Sequence, residues 1–171
     1  DQPAHLKRLA EVFAAADREG MAILVHMRAS IRNKRPYGAA EAQAFLDKVL
    51  PAAPHVPVQV AHLAGTGPGF DDPPSRAVLA TLAEAMERHT PATRNLWFDV
   101  ASIAQNDTTP ADAAELAKRL RQSGLHRVLY GTDSAQGDNL RPREAWAAFR
   151  KLPLTEAEFK QVAGNVAPYF K

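Results

Sequence analysis

Short apolar runs alternate at a nearly constant interval with longer stretches of helical periodicity, and that alternation limits the fold more than any other feature of the chain. The apolar runs are "MAILVH", "VPVQVAHL", "RNLWFDVA" and "HRVLYGTD". Each is apolar almost throughout, as expected of parallel strands covered on both faces; strands with one wet face alternate instead. Before the first run, "AHLKRLAEVFAAADREG" sets Leu6, Leu9, Val12 and Phe13 on one helical stripe, with Gly20 as the stop. "GAAEAQAFLDKVLPAAP" is a second helix closed by Pro51 and Pro54. "DPPSRAVLATLAEAMERH" is a third, with prolines in its first turn, where a missing N–H costs nothing. "TPADAAELAKRLRQSG" is a fourth, with Thr109 as N-cap, Pro110 at the first helical position and Gly124 as the stop. "RPREAWAAFRKL" and "TEAEFKQVAGNV" read as closing helices. Regular βα alternation predicts an α/β fold with a parallel sheet, in a single domain over residues 1–171.

The strand ends carry the chemistry. The four runs finish at His26, His62, Asp99 and Asp133. In parallel α/β folds the C-terminal edge of the sheet is where ligands bind. A buried strand rarely ends in an ionisable group unless that group is paired or ligated. One such residue means little, because a strand-end His is often just hydrogen-bonded and a lone Asp often caps a turn. Four together predict a site, with His26, His62 and Asp133 at its centre. Asp99 is either a substrate-binding group or the anchor of a neighbouring loop.

Basic residues cluster at one place only, in "HMRASIRNKRP". Arg28 follows His26 closely enough to face the pocket, where its planar fork suits a substrate carboxylate. Arg32, Lys34 and Arg35 read as a solvated loop. "AGTGPG" lacks the spacing of a phosphate loop, since Pro68 interrupts it and no helix opens before about Pro73. Its glycines suit a backbone passing close to a ligand beside His62. His5, His55, His89 and His126 lie away from the strand tips and read as structural or solvated.

Composition removes several classes. Hydrophobic residues are 46% and charged residues 23%, ordinary for a globular domain. A formal charge of +2, without a basic stripe carrying aromatics, argues against nucleic acid. No apolar run reaches the roughly 20 residues that span a bilayer. There is no cysteine, hence no disulfide and no thiolate metal site. The start at Asp1 is no secretory signal, and the native N-terminus is expected upstream of it; a cytoplasmic protein is expected, with the periplasm left open.

"ILVHMR", "VQVAHLAG", "NLWFDVAS", "RVLYGTD" and the closing "GNVAPYF" resemble the C-terminal half of amidohydrolase family 2 proteins over essentially the whole chain. The resemblance implies a (β/α)8 barrel to which these strands contribute the fifth to the eighth. It implies one divalent metal ion, usually zinc, with His26 and Asp133 as ligands. His62 and Asp133 would be the catalytic proton-transfer groups; Arg28 and Asp99 stay the substrate-binding candidates that the residues alone suggest. The activity implied is metal-dependent hydrolysis of a small anionic amide, ester or lactone. Non-oxidative decarboxylation, a metal-free lactonase and a barrel that has lost its site are the alternatives. The partner expected is a small-molecule substrate, with a homo-oligomer possible.

The family's first-strand His-x-His pair occurs nowhere in this sequence. Four strands alone would also leave two unpaired edges and an uncovered apolar interior. About a hundred or more upstream residues are therefore expected to complete the barrel, since such barrels need roughly 250.

Overall fold

The computed structural model describes residues 3–28, 36–70, 72–134 and 139–170. Helix α1 (Pro3–Arg18) leads to strand β1 (Ile23–Val25), followed by α2 (Ala39–Lys48) and β2 (Val58–Val60). Then come α3 (Pro73–Glu87), β3 (Leu96–Asp99), α4 (Pro110–Ser123) and β4 (Val128–Leu129). Helices α5 (Pro142–Phe149) and α6 (Glu156–Gly164) complete the order. The four strands form one parallel sheet in sequence order, β1-β2-β3-β4. This is the parallel α/β architecture that the alternation predicts, and the strand order is that of half a (β/α)8 barrel, as the resemblance implies.

The helix ends follow the sequence signals. Thr109 Oγ1 accepts from Asp112 N at 3.1 Å at the start of α4, and Gly124 ends that helix at φ +77°. Thr155 and Glu158 form a reciprocal capping box at the start of α6. Two boundaries differ from expectation. The strands are only two to four residues long. His89 lies beyond the end of α3, at φ +53°, instead of in its last turn.

Register and pleat give the sheet two unlike faces. Val58, Val60, Leu96, Phe98 and Val128 alternate onto one face and are 0–1% exposed. That face shares the core with Leu79 and Leu82 of α3 and Leu116 and Leu120 of α4. Tyr130 packs edge-on against Trp146 (4.9 Å between ring centroids) and joins Phe149 and Phe159 over β4. The opposite face carries Leu24, Gln59, Trp97, Asp99 and Leu129. Leu24 is 62% exposed there, whereas Gln59, Asp99 and Leu129 are buried. The C-terminal segment after α6 covers this side: Asn165 Nδ2 donates to Leu125 O and Val128 O, and Tyr169 reaches Gln59. Val166 and Phe170 stay largely exposed. Among the described residues no helix is long and apolar enough to cross a membrane.

Candidate functional site

His26, His62, Asp99 and Asp133 do meet at the C-terminal edge of the sheet. The His26 and His62 rings lie 5.1 Å apart, centroid to centroid, inclined at 63°. His62 and Asp133 line one cavity of about 520 Å3, which also takes in Leu24, Tyr169 and Phe170. Asp133 is exposed at its rim, whereas His62 and Asp99 are buried; His26, also exposed, lines another cavity of about 540 Å3 with Arg28 and Tyr37.

The backbone that presents His62 is unusual. Directly after β2, His62, Leu63 and Ala64 all have left-handed φ, at 52°, 48° and 67°. Non-glycine residues pay roughly 1 kcal/mol or more each for this conformation. The surroundings hold it. Leu63 and Ala64 are wholly buried, and Tyr37 donates its hydroxyl proton to the Ala64 carbonyl. Gly65 N donates to His62 O at 2.8 Å.

Asp99 is the main support. Its Oδ1 accepts from His62 N at 2.9 Å and from Ala101 N at 3.2 Å. Its Oδ2 accepts from Gln59 Nε2 at 2.7 Å. The carboxylate is thus filled by donors of the chain itself. Of the two readings open from sequence, the loop anchor is the one the geometry displays.

The same turn selects the tautomer of His62. Its Nδ1 lies 2.9 Å from Ala101 O. A carbonyl can only accept, so Nδ1 carries the proton and Nε2 of the neutral ring holds a lone pair. His62 is therefore set up as a proton acceptor or a ligand through Nε2. At His26, loss of hydration and the nearby His62 ring lower the pKa, opposed by the charges of Asp133 and Asp99. His26 is thereby biased toward its neutral, electron-donating form.

Asp133 stands at φ +50° after β4. Asn139 Nδ2 donates to its carbonyl at 2.8 Å and to Oδ2 at 2.7 Å. Ser102 in turn donates to Asn139 Oδ1 at 2.6 Å. Gly67 packs on that serine: a Cβ there would sit 2.8 Å from Ser102 Cβ. This glycine makes room for the β3 turn, and not for a ligand beside His62 as the sequence suggested.

Arg28 is also engaged within the chain. Its Nε donates to Asp72 Oδ2 at 2.9 Å, and its guanidinium lies 4.8 Å from the Tyr37 ring centre. Burial would raise the Asp72 pKa, but the Arg28 and Ser75 hydrogen bonds outweigh it and hold the pKa below the ordinary carboxylate range. The fork expected to bind a substrate carboxylate is thus given to Asp72. Arg32, Lys34 and Arg35 lie outside the described residues.

A zinc ion in a catalytic site takes three protein ligands. Among the described residues no group of three His, Asp or Glu side chains converges closely enough to hold a metal ion. His26, His62 and Asp133 supply suitable donor atoms but do not by themselves fit an ion.

Sequence reading missed Gln59, Tyr169, Ser102, Asn139 and Asp72. Gln59 had a signal, as a lone amide inside the apolar run "VPVQVAH". The others have none: Tyr169, Ser102 and Asp72 meet partners 30 or more residues away, and Asn139 folds back on Asp133 at a spacing of six that matches no helix or strand period.

A sequence model of the amidohydrolase family matches residues 1–167. No curated relative matches the sequence. Among solved structures, an amidohydrolase 2 from Bifidobacterium longum subsp. infantis is 20% identical with a TM-score of 0.53; the match covers 95% of this chain and 56% of that one. A 5-carboxyvanillate decarboxylase from Sphingomonas paucimobilis is 17% identical with a TM-score of 0.52, covering 90% and 50%. The chain thus spans about half the length of the structures it matches.

Proposed function

Because this chain belongs to the amidohydrolase family, we propose that its strand tips form one half of an active site that hydrolyses a small amide, ester or lactone. The observation that carries the reading is His62: a buried imidazole, tied through Nδ1 to Ala101 O, with Nε2 left as the basic atom on a cavity it shares with Asp133. In this reading Nε2 takes the proton of the attacking water and returns it to the leaving group. Asp133 is fixed through Oδ2 by Asn139, and orients the water with its other oxygen. Arg28 and Asp99 shape the site from within the chain.

His26 and Asp133 are the donors this chain offers to a divalent metal, zinc by expectation. The remaining ligands, with the strands that close the barrel, would come from a further stretch of the polypeptide. Two results bear on this. The intact protein should carry close to one divalent ion per chain by elemental mass spectrometry, reduced in His26→Ala. Its mass should lie well above 18.6 kDa; a soluble monomer at that mass would sink the completed-barrel proposal.

A second reading, non-oxidative decarboxylation, is favoured by the fold match to the 5-carboxyvanillate decarboxylase and by the Tyr169 and Phe170 rings on the cavity wall. The deciding assay is product analysis with the intact protein. Small aromatic esters and lactones probe hydrolysis, and 5-carboxyvanillate probes release of carbon dioxide. His62→Ala is expected to lower whichever rate is found by roughly 100-fold to 10,000-fold, the range for loss of a general base. A rate unchanged in His62→Ala would refute the role given to His62 in both readings.

A further inference from the structure

A hydrogen-bond chain runs from His62 to the last residues of the described polypeptide, and chemistry fixes the direction of every link. The Ala101 carbonyl accepts, so His62 Nδ1 donates. The Asp99 carboxylate accepts from His62 N, Ala101 N and Gln59 Nε2. The Gln59 amide cannot be reversed, because its oxygen would then face a carboxylate oxygen. Gln59 Oε1 therefore points away from Asp99 and accepts from the Tyr169 hydroxyl. Burial, followed by the charge of Asp99, raises the Tyr169 pKa and keeps that proton in place. Gln59 and Asp99 are 6% and 7% exposed, so water is a poor substitute for either partner.

We propose that Tyr169 and Gln59 are positioning residues for His62. The Tyr169 hydroxyl orients the Gln59 amide, which pins the Asp99 carboxylate. Asp99 holds the left-handed turn at His62 and the Ala101 peptide, which together select the Nδ1–H tautomer. The closing "GNVAPYF" segment thereby acts on a strand tip 107 residues away by numbering, 169 against 62. Without the hydroxyl, buried Gln59 Oε1 lacks a partner and the side chain moves off Asp99 to reach one. Asp99 then loses its Oδ2 anchor, and the ring of His62 its fixed acceptor. The catalytic consequence rests on the reading of His62 as a base; the tautomer itself does not depend on turnover.

The test is the tautomeric state of His62 in the intact protein, read from long-range 1H–15N spectra of 15N-histidine-labelled samples at alkaline pH. A His62→Gln sample assigns the resonances. The unmodified protein is expected to show His62 as a single Nδ1–H tautomer. Tyr169→Phe keeps the ring and removes one oxygen, and is expected to move the His62 nitrogen signals toward the average of the two tautomers. Gln59→Leu is expected to do the same. Phe170→Ala, beside Tyr169 and 76% exposed, is expected to leave them in place.

A single unshifted tautomer in Tyr169→Phe overturns the proposal, even if stability falls, since a packing role alone would not move the tautomer. Should Gln59→Leu fail to fold, Tyr169→Phe decides. An active His62→Ala alongside a tautomer lock that responds to Tyr169→Phe would sink the proposed function and leave the positioning chain standing.

Discussion

Replacing Asp99 in two ways separates the roles of its shape and its accepting oxygens. Asp99→Leu keeps a similar branched shape in a larger side chain but removes both acceptors. His62 N, Ala101 N and Gln59 Nε2, now 2.7–3.2 Å from a carboxylate oxygen, would all lose their partner in a buried place. Each of the three stranded donors costs about 1–3 kcal/mol, and the extra apolar burial returns about 1–2 kcal/mol, so the net loss is roughly 1–8 kcal/mol. Asp99→Asn is a different perturbation. Its remaining oxygen still accepts from the two backbone amides, while its new NH2 group faces Gln59. Gln59 answers by turning its amide, giving its oxygen to Asn and its NH2 to the Tyr169 hydroxyl, which can accept as well as donate. The buried donors are then satisfied, the Tyr169 hydroxyl, 38% exposed, donates to water, and only the charge of the acceptor is lost, at about 1 kcal/mol. Urea unfolding followed by far-UV circular dichroism measures both, provided the slope m is unchanged. Equal losses in the two variants, or a loss below about 1 kcal/mol in Asp99→Leu, would refute the account of Asp99 as the hub of this turn.

Other consequences are as specific. Gly67→Ala is expected to cost about 2 kcal/mol, because φ is +48° and the new Cβ falls 2.8 Å from Ser102 Cβ. Gly164→Ala, where a Cβ meets nothing within 4 Å at the end of α6, is expected to be neutral or stabilising by about 0.5–1 kcal/mol; the same urea titration checks both. Glu158 is pushed down to about 2, first by its Arg121 hydrogen bond and then by the Thr155 N–H. A depressed carboxylate stabilises fully above its unfolded pKa of 4.5 and loses that contribution as pH falls toward about 2. Thermal melts across that window should fall less steeply in Glu158→Gln, and an unchanged slope would count against the pairing. Arg28→Lys keeps the charge but not the fork on Asp72, nor the flat face over Tyr37. A loss of about 1 kcal/mol that 1 M salt does not erase is expected, since the pair is partly buried and its geometry counts more than its charge.

The order of elements and the edge that carries the site were written in the sequence. Strand runs such as "VLY" are apolar on both sides, which asks for cover on both. Helix signals such as Thr109, Pro110 and Gly124 act within one or two turns. Both are local properties, and a chain cannot hide them. The placing of His26, His62, Asp99 and Asp133 at one edge followed from counting strands, because parallel strands bring equivalent ends together. What each of these side chains touches was decided elsewhere. Arg28 has the chemistry to bind a substrate carboxylate, but Asp72, 44 residues on, is folded against it. Asp99 looks like any strand-end acid until the turn at His62 is bent left-handed around it. The tautomer of His62 depends on the carbonyl of Ala101, a group every residue carries and no sequence pattern marks. Periodicity reports which face of an element is buried. Which donor meets which acceptor is settled by angles and distances of a few tenths of an ångström, and those exist only once the elements have packed.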